Sequence, residues 1–351
     1  MSKILFYGLE GYGQIYADHC LYAGVDITDP NRKYWGATLS LGDKHTTIRN
    51  PNNIFWDQYD MVVITGDSKE YFEETANHLT SVYKVPREKI KTCWEVVFFS
   101  KEMKEFYKWR EGKLDNTDSI ELFTKKELSG MLDVDSLNDL EKFFLLEEHR
   151  IIHKWLHYFD AYDRFFSKYR GKDITILEIG VFKGGSLQMW KNYFKTSGNK
   201  VQIYGIDIDP NCKRLEEENI KIFIGSQEDR EFLRKVKEEI GKVDILIDDG
   251  GHTMNQQIVT FEEMFDFVAD DGLYLCEDMH SSYWEDYGGG YKGETFIEYT
   301  KNLIDYINAH HSQTDQLQKN VYTDSIGYVT YCDSMMFIEK KPMAKRYDAM
   351  S

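Results

Sequence analysis

The chain has 351 residues, 42% of them hydrophobic and 15% aromatic, which suits two packed domains and excludes a largely disordered chain. Its formal net charge of −17 argues against a nucleic-acid backbone or an anionic membrane surface as partner, though not against a small anionic ligand held locally. The cysteines (Cys20, Cys93, Cys212, Cys276 and Cys332) form no CxxC pair, and three lie in or beside apolar runs, as buried reduced thiols do.

In chain order, Ser2–Tyr7 reads directly into a strand with no signal-peptide core. No apolar stretch approaches the roughly 20 residues that span a bilayer, so a soluble cytoplasmic protein is expected. Residues 1–90 form a small α/β pattern. Strands are predicted at Lys3–Gly8 and Met61–Thr65, with helices at Gly11–Gly24 and Ser68–Tyr83, the latter capped by Ser68. The segment between Asp29 and Pro51 looks loop-rich. Gly8, Gly11 and Gly13 are spaced GxxGxG, the reverse of the dinucleotide fingerprint, with Asp26 at a tolerable distance for a ribose contact. The favoured reading is a Rossmann-like accessory domain for oligomerisation or substrate positioning.

Residues 91–172 read as a helical connecting region, with a polar loop at 110–120 and one or two helices over Leu140–Tyr169. His149, His153 and His157 would share a helix face. Packing is favoured over metal ligation because no fourth acid or Cys accompanies them.

Residues 173–341 alternate strands and helices. Strands are predicted at Ile174–Ile179, Val201–Asp207, Ile220–Gly225, Val243–Asp248 and Gly272–Cys276, and helices at Asp229–Ile240 and Thr253–Phe267. Gly327–Cys332 and Ser334–Glu339 are separated by one Asp, too little for a crossover, so they must form an antiparallel hairpin.

Two strand ends carry acids: Asp248-Asp249-Gly250-Gly251-His252 and Glu277-Asp278. Ligands of an open parallel sheet bind beyond its carboxyl strand ends, and carboxylates converging there repel one another without a cation. Hard oxygen donors point to Mg²⁺. Helix capping would explain one such acid but fits four poorly. His252 is the favoured general base, with His280 as its rival.

These residues carry a resemblance. Leu177-Glu-Ile-Gly-Val-Phe-Lys-Gly-Gly-Ser-Leu187, Gly205-Ile-Asp207, Gly225-Ser-Gln-Glu-Asp229, the Asp248–His252 run and Glu277-Asp278 occur in the order found in class I S-adenosylmethionine-dependent methyltransferases. Over Asp173–Lys341 the chain is similar to the metal-dependent sugar O-methyltransferases of the macrolide-glycoside type. The resemblance implies a Rossmann-like, doubly wound, mostly parallel seven-stranded sheet with an antiparallel C-terminal hairpin. It implies S-adenosyl-L-methionine and Mg²⁺ as cofactors. Glu178 and Gly180 would border the methionine end and Asp207 would hold the ribose. Ser226 and Gln227 would lie beside the adenine, and Ser186 and Asp248 would complete the cofactor set. Asp249, Glu277 and Asp278 would bind the metal, and His252 would take a proton from a sugar hydroxyl.

Gly250-Gly251 stands where relatives often have small side chains, which would give this turn extra freedom. The aromatic and glycine-rich segment His280–Gly293 reads as a mobile lid that stacks on a sugar ring. The expected acceptor is a sugar or nucleotide sugar, in capsule, glycan or glycoside biosynthesis, and a homo-oligomer is plausible. The rivals are an NAD-dependent oxidoreductase working through the N-terminal domain, a methyltransferase of phenols, and a non-catalytic binding module.

Overall fold

The computed structural model describes residues 3–9, 25–41, 44–66, 68–99, 103, 106–107, 121–342 and 349–350. The chain divides into two compact units, residues 1–149 and 150–351. The predicted helix over Gly11–Gly24, most of the GxxGxG turn, Cys20 and the 110–120 loop lie outside the described residues.

In the first unit the strands are β1 (Ile4–Tyr7), β2 (Asp26–Thr28), β3 (Thr38–Leu41), β4 (Lys44–Thr47), β5 (Met61–Ile64), β6 (Ile90–Thr92), β7 (Val96–Phe99) and β8 (Glu121–Thr124). A parallel sheet runs in the order β2-β1-β5-β6. Its central strands are near-continuous apolar runs, as sheets covered on both faces require. Helix α1 (Lys69–Tyr83) starts where expected, with the Ser68 side chain accepting the Tyr71 N–H, and buries Phe72, Ala76 and Leu79. The segment expected as loop between Asp29 and Pro51 holds the antiparallel pair β3–β4. Four-residue strands flanked by Gly and Asp leave too short an alternation to read.

The connecting region is not helical throughout, since β7 and β8 pair antiparallel within it. Helices α2 (Lys125–Met131) and α3 (Asp139–Leu146) follow, each opened by a capping box. Of the one or two helices expected over Leu140–Tyr169 the structure has two, α3 and α4 (Tyr158–Phe166), with 147–157 irregular between them. Side chains take the carbonyls that would continue α3: Lys125 Nζ donates to Glu147 O, and the His149 ring bonds Phe144 O. The three histidines therefore share no helix face.

The second unit contains β9 (Ile174–Ile179), β10 (Val201–Asp207), β11 (Ile220–Ile224), β12 (Val243–Asp248), β13 (Val268–Cys276), β14 (Ile326–Cys332) and β15 (Met335–Lys340). They form one sheet in the order β11-β10-β9-β12-β13-β15-β14. The first five are mutually parallel, and β15 inserts antiparallel between β13 and β14. The hairpin is thus as expected. The remaining helices are α5 (Gly185–Phe194), α6 (Arg230–Ile240), α7 (Met254–Met264), α8 (Phe296–Asn308) and α9 (Val321–Ser325). Asp229 and Thr253 cap α6 and α7. Leu177, Leu246, Phe261, Tyr274 and Ile338 lie in one buried core cluster. The order reverses between β9, whose neighbours are β10 and β12, and the crevice above those carboxyl ends is where such a sheet binds ligands.

Candidate active site

The turn after β9 opens the site. Gly180 has φ +94, and a Cβ there would sit 1.9 Å from the Asp249 carbonyl oxygen, so only glycine fits. Asp207, at the end of β10, locks the turn. Its Oδ2 accepts the N–H groups of Val181 and Phe182, both at 2.9 Å, and its Oδ1 accepts that of Asp209 at 2.8 Å. Gly180, Asp207, Ser226, Gln227, Asp249 and His252 line one cavity of about 480 Å³. Glu178, Ser186 and Asp248, expected to bind the cofactor, are buried and do not line it. Glu178 is fully buried and accepts from Ser186 Oγ (2.8 Å) and Trp190 Nε1 (3.1 Å). Burial raises the Glu178 carboxyl to about 7 despite the attraction of Lys154. Asp248 is also buried and is pushed up to about 7 by desolvation, while Gln227 Nε2 donates to it at 3.0 Å.

Gln227 corrects the expectation of a loose Gly250-Gly251 turn. Its Oε1 accepts the Gly251 N–H at 2.8 Å, and its Nε2 bonds both Asp248 and Thr260. A Cβ on Gly250 would sit 1.9 Å from Gln227 Oε1, and one on Gly251 would sit 2.3 Å from Gln256 Oε1. The glycines make room for two amide side chains, and the turn is pinned.

Asp249, Glu277 and Asp278 border a second, smaller cavity of about 120 Å³, together with His153, Lys154, Trp155 and Tyr158. Asp249, Asp278 and His153 line both cavities. His252 and Asp278 are left-handed (φ 58 and 53), as is Phe182 at the glycine turn (φ 51). Such conformations cost energy in residues with a Cβ, and half of the six described instances fall at this site. His252 Nε2 lies 3.5 Å from Asp278 Oδ2 and 3.9 Å from Asp249 Oδ1. Ser281 Oγ holds the His252 carbonyl at 2.8 Å. Asp278 Oδ1 accepts the Tyr158 hydroxyl at 2.6 Å, and burial, with Asp278 beside it, holds that phenol well above its ordinary pKa.

His280 is placed differently. Its Nδ1 bonds Ser334 Oγ, its ring packs on Trp284 and Trp155, and it lines neither cavity. The segment after it winds into two short 3₁₀ turns, Met279–Tyr283 and Glu285–Tyr287, with Gly289 and Gly290 N–H groups bonded back to Trp284 and Ser282. Tyr287 lies 6.5 Å from the His252 ring.

Sequence reasoning missed Lys154 and Tyr158, and it set His153 aside as packing, whereas His153 lines both cavities. Lys154 Nζ donates to Asp249 Oδ2 (2.5 Å) and Glu277 Oε2 (2.7 Å), with its side chain only 3% exposed. Burial alone would lower its pKa, but Asp249, Glu277 and Glu178 outweigh burial and hold it above the ordinary value. Glu277 is raised well above the usual carboxylate range by desolvation and then by Asp249, against the pull of Lys154. Lys154 and Tyr158 sit some 95 to 123 positions before the acids they meet, in a stretch whose aromatic density masks them as packing.

The donor set fits a hard divalent cation. Carboxylates from two strand ends share a small cavity, and Glu277 Oε1 is buried without a hydrogen-bond partner among the described residues. Asp249, His252 and Asp278 each present an atom within 4.8 Å of the others.

Fold and site together define a class I S-adenosylmethionine-dependent methyltransferase domain. Residues 177–279 match the family described as "Methyltransferase domain". The chain is 36% identical over 200 residues to mycinamicin VI 2''-O-methyltransferase of Micromonospora griseorubida, covering 53% of this chain and 49% of that one. It is 34% identical over 203 residues to demethylmacrocin O-methyltransferase of Streptomyces fradiae, covering 53% and 50%. The chain thus spans about half the length of the curated relatives it matches. Among solved structures, MycE methyltransferase from the mycinamycin biosynthetic pathway, in complex with Mg and SAH, superposes with TM-score 0.52 at 27% identity, covering 65% of this chain and 66% of that one.

Proposed function

We propose that the protein is a Mg²⁺-dependent S-adenosyl-L-methionine O-methyltransferase acting on a sugar hydroxyl. The observation that carries this reading is the meeting of Asp249, Asp278 and His252 on the cavity that the Gly180 turn and Asp207 also line. The named activities of the relatives, 2''-O-methylation of mycinamicin VI and O-methylation of demethylmacrocin, support it, as do the Mg and SAH bound by MycE.

Asp207, Gly180, Ser226 and Gln227 are the residues for the nucleoside cofactor, with Asp248 holding Gln227 and with Glu178 and Ser186 bonded to each other in the buried layer. Asp249, Glu277 and Asp278 are the residues for Mg²⁺, which when bound supplies Lewis acidity to an acceptor oxygen. His252 Nε2 would take the proton of an acceptor hydroxyl held at this face, and S-adenosylmethionine, when bound, would supply the methyl group that the oxygen accepts as sulfur leaves. Holding the two reactants in line supplies much of the rate. A sugar suits the site because adjacent hydroxyls offer two hard oxygens, and an aliphatic hydroxyl needs a base more than a phenol does. The setting we propose is glycoside, capsule or glycan biosynthesis in the cytoplasm, with the first unit serving oligomerisation or substrate positioning.

Calorimetric titration with S-adenosylmethionine and with NAD, each with and without Mg²⁺, tests the reading. Micromolar binding of S-adenosylmethionine, lost in Asp207→Ala, is expected. Binding of NAD alone sinks the proposal and moves the active site to the first unit.

A further inference from the structure

Lys154 is a cation that the protein itself brings to the acids. Its ammonium bonds one oxygen of Asp249 and one of Glu277, from a side chain that is 3% exposed. The other oxygen of each carboxylate is uncommitted to it: Asp249 Oδ1 faces His252, and Glu277 Oε1 has no hydrogen-bond partner among the described residues. Asp278 is divided in the same way, with Oδ1 on Tyr158 and Oδ2 toward His252. Asp249 and Asp278 therefore each turn one oxygen to Lys154 or Tyr158 and the other toward His252, while Glu277 Oε1 is buried with the Tyr162 hydroxyl beside it. Without Lys154, Glu178, Asp249, Glu277 and Asp278 would converge with no other buried ammonium or guanidinium bonded to them among the described residues.

We propose that Lys154 is a built-in counter-cation that preforms the metal site and weakens its hold on the divalent ion by competing for the same carboxylates. It acts as a positioning residue through Asp249 and Glu277. The inference rests on the Mg²⁺ reading above. Its physical content is a trade between order and affinity. A site neutralised by its own ammonium is assembled before metal arrives, and the ion that then binds feels a like charge across a shared carboxylate. Coulomb repulsion between a single and a double positive charge in such contact is worth roughly tenfold in affinity or more, even at the screening of bulk water.

The test uses the full chain with Mg²⁺ alone as probe, comparing wild type with Lys154→Met and Lys154→Arg. Mg²⁺ affinity is read by calorimetry and by the rise in thermal midpoint with Mg²⁺, and S-adenosylmethionine binding is measured in parallel. The expected result is Mg²⁺ binding about tenfold tighter or more in Lys154→Met, with a larger rise in midpoint, while Lys154→Arg stays near wild type. If Lys154→Met folds only with metal, it is purified in Mg²⁺, and its midpoint against free Mg²⁺ gives the affinity. Equal or weaker Mg²⁺ binding in Lys154→Met overturns the proposal, because a merely structural lysine would loosen the ligands when removed. Wild type that binds Mg²⁺ but not S-adenosylmethionine defeats the methyltransferase reading and leaves the Lys154 comparison decisive. Absence of Mg²⁺ binding in every variant defeats both.

Discussion

Both parallel sheets carry acids at the ends of strands, but the two groups of acids are partnered differently. In the first unit, Asp29 follows β2 and accepts the backbone N–H groups of Leu9 (2.5 Å) and Asn31 (2.6 Å). Asp26, at the start of the same strand, is bonded to Arg49 (2.8 Å) and to the Tyr59 hydroxyl (2.5 Å). Each carboxylate there has donors for both oxygens. In the second unit, Asp249 and Glu277 share a single ammonium, and Glu277 keeps a buried oxygen with no hydrogen-bond partner among the described residues. Local donors that match a strand-end acid's lone pairs fix it in place, as they also do for Asp207 in the second unit. Acids that outnumber their donors, as Asp249 and Glu277 do, are candidates to bind a cation.

Three measurements break or sharpen this contrast. The largest effect is expected from His252→Ala. Removing the base should lower kcat by about 10² to 10⁴, with S-adenosylmethionine affinity and thermal midpoint nearly unchanged. Activity within about threefold of wild type would remove His252 from the proton transfer.

The next effect concerns Glu178, whose carboxyl is raised by burial from 4.5 to about 7. Between those values the folded state holds a proton that the unfolded chain has released. Stability should therefore fall as pH rises through that window and level off above about 7, by roughly 3 kcal/mol in all. Glu178→Gln should remove that share of the slope in urea unfolding between pH 5 and pH 8, leaving the share of Asp248, which burial also raises to about 7. An unchanged slope would show that Glu178 is ionised throughout, against its burial.

The smallest effect is expected in the first unit. Asp26→Asn weakens the bonds to Arg49 and Tyr59, and should cost about 1–2 kcal/mol of stability in denaturant unfolding. Cofactor binding and kcat should not move. A loss of activity larger than the loss of folded protein would show that the first unit's acids also serve the reaction.

Local patterns were sufficient for much of the second unit. Apolar runs ending in Asp or Gly placed β9, β10 and β12 to the residue, because a buried parallel strand must be apolar on both faces. The single Asp between the last two runs left no geometry but a hairpin, and β14–β15 is one. Cap residues fixed the starts of α1, α6 and α7 for the same local reason. The acids and His252 were also visible, since their position just past a strand is a property of the sequence itself.

What the sequence by itself determined is therefore the parallel framework and the residues at its strand ends. The tertiary structure alone decided what compensates them. Lys154 and Tyr158 reach Asp249, Glu277 and Asp278 across more than ninety residues of chain, and no periodicity links them. Gln227 likewise turned a glycine pair that reads as freedom into a pinned turn, by filling the space a Cβ would need. Periodicity and caps depend on neighbours within a few residues. The charge balance of a buried site depends on every group the fold brings within a few ångströms, whatever its place in the chain.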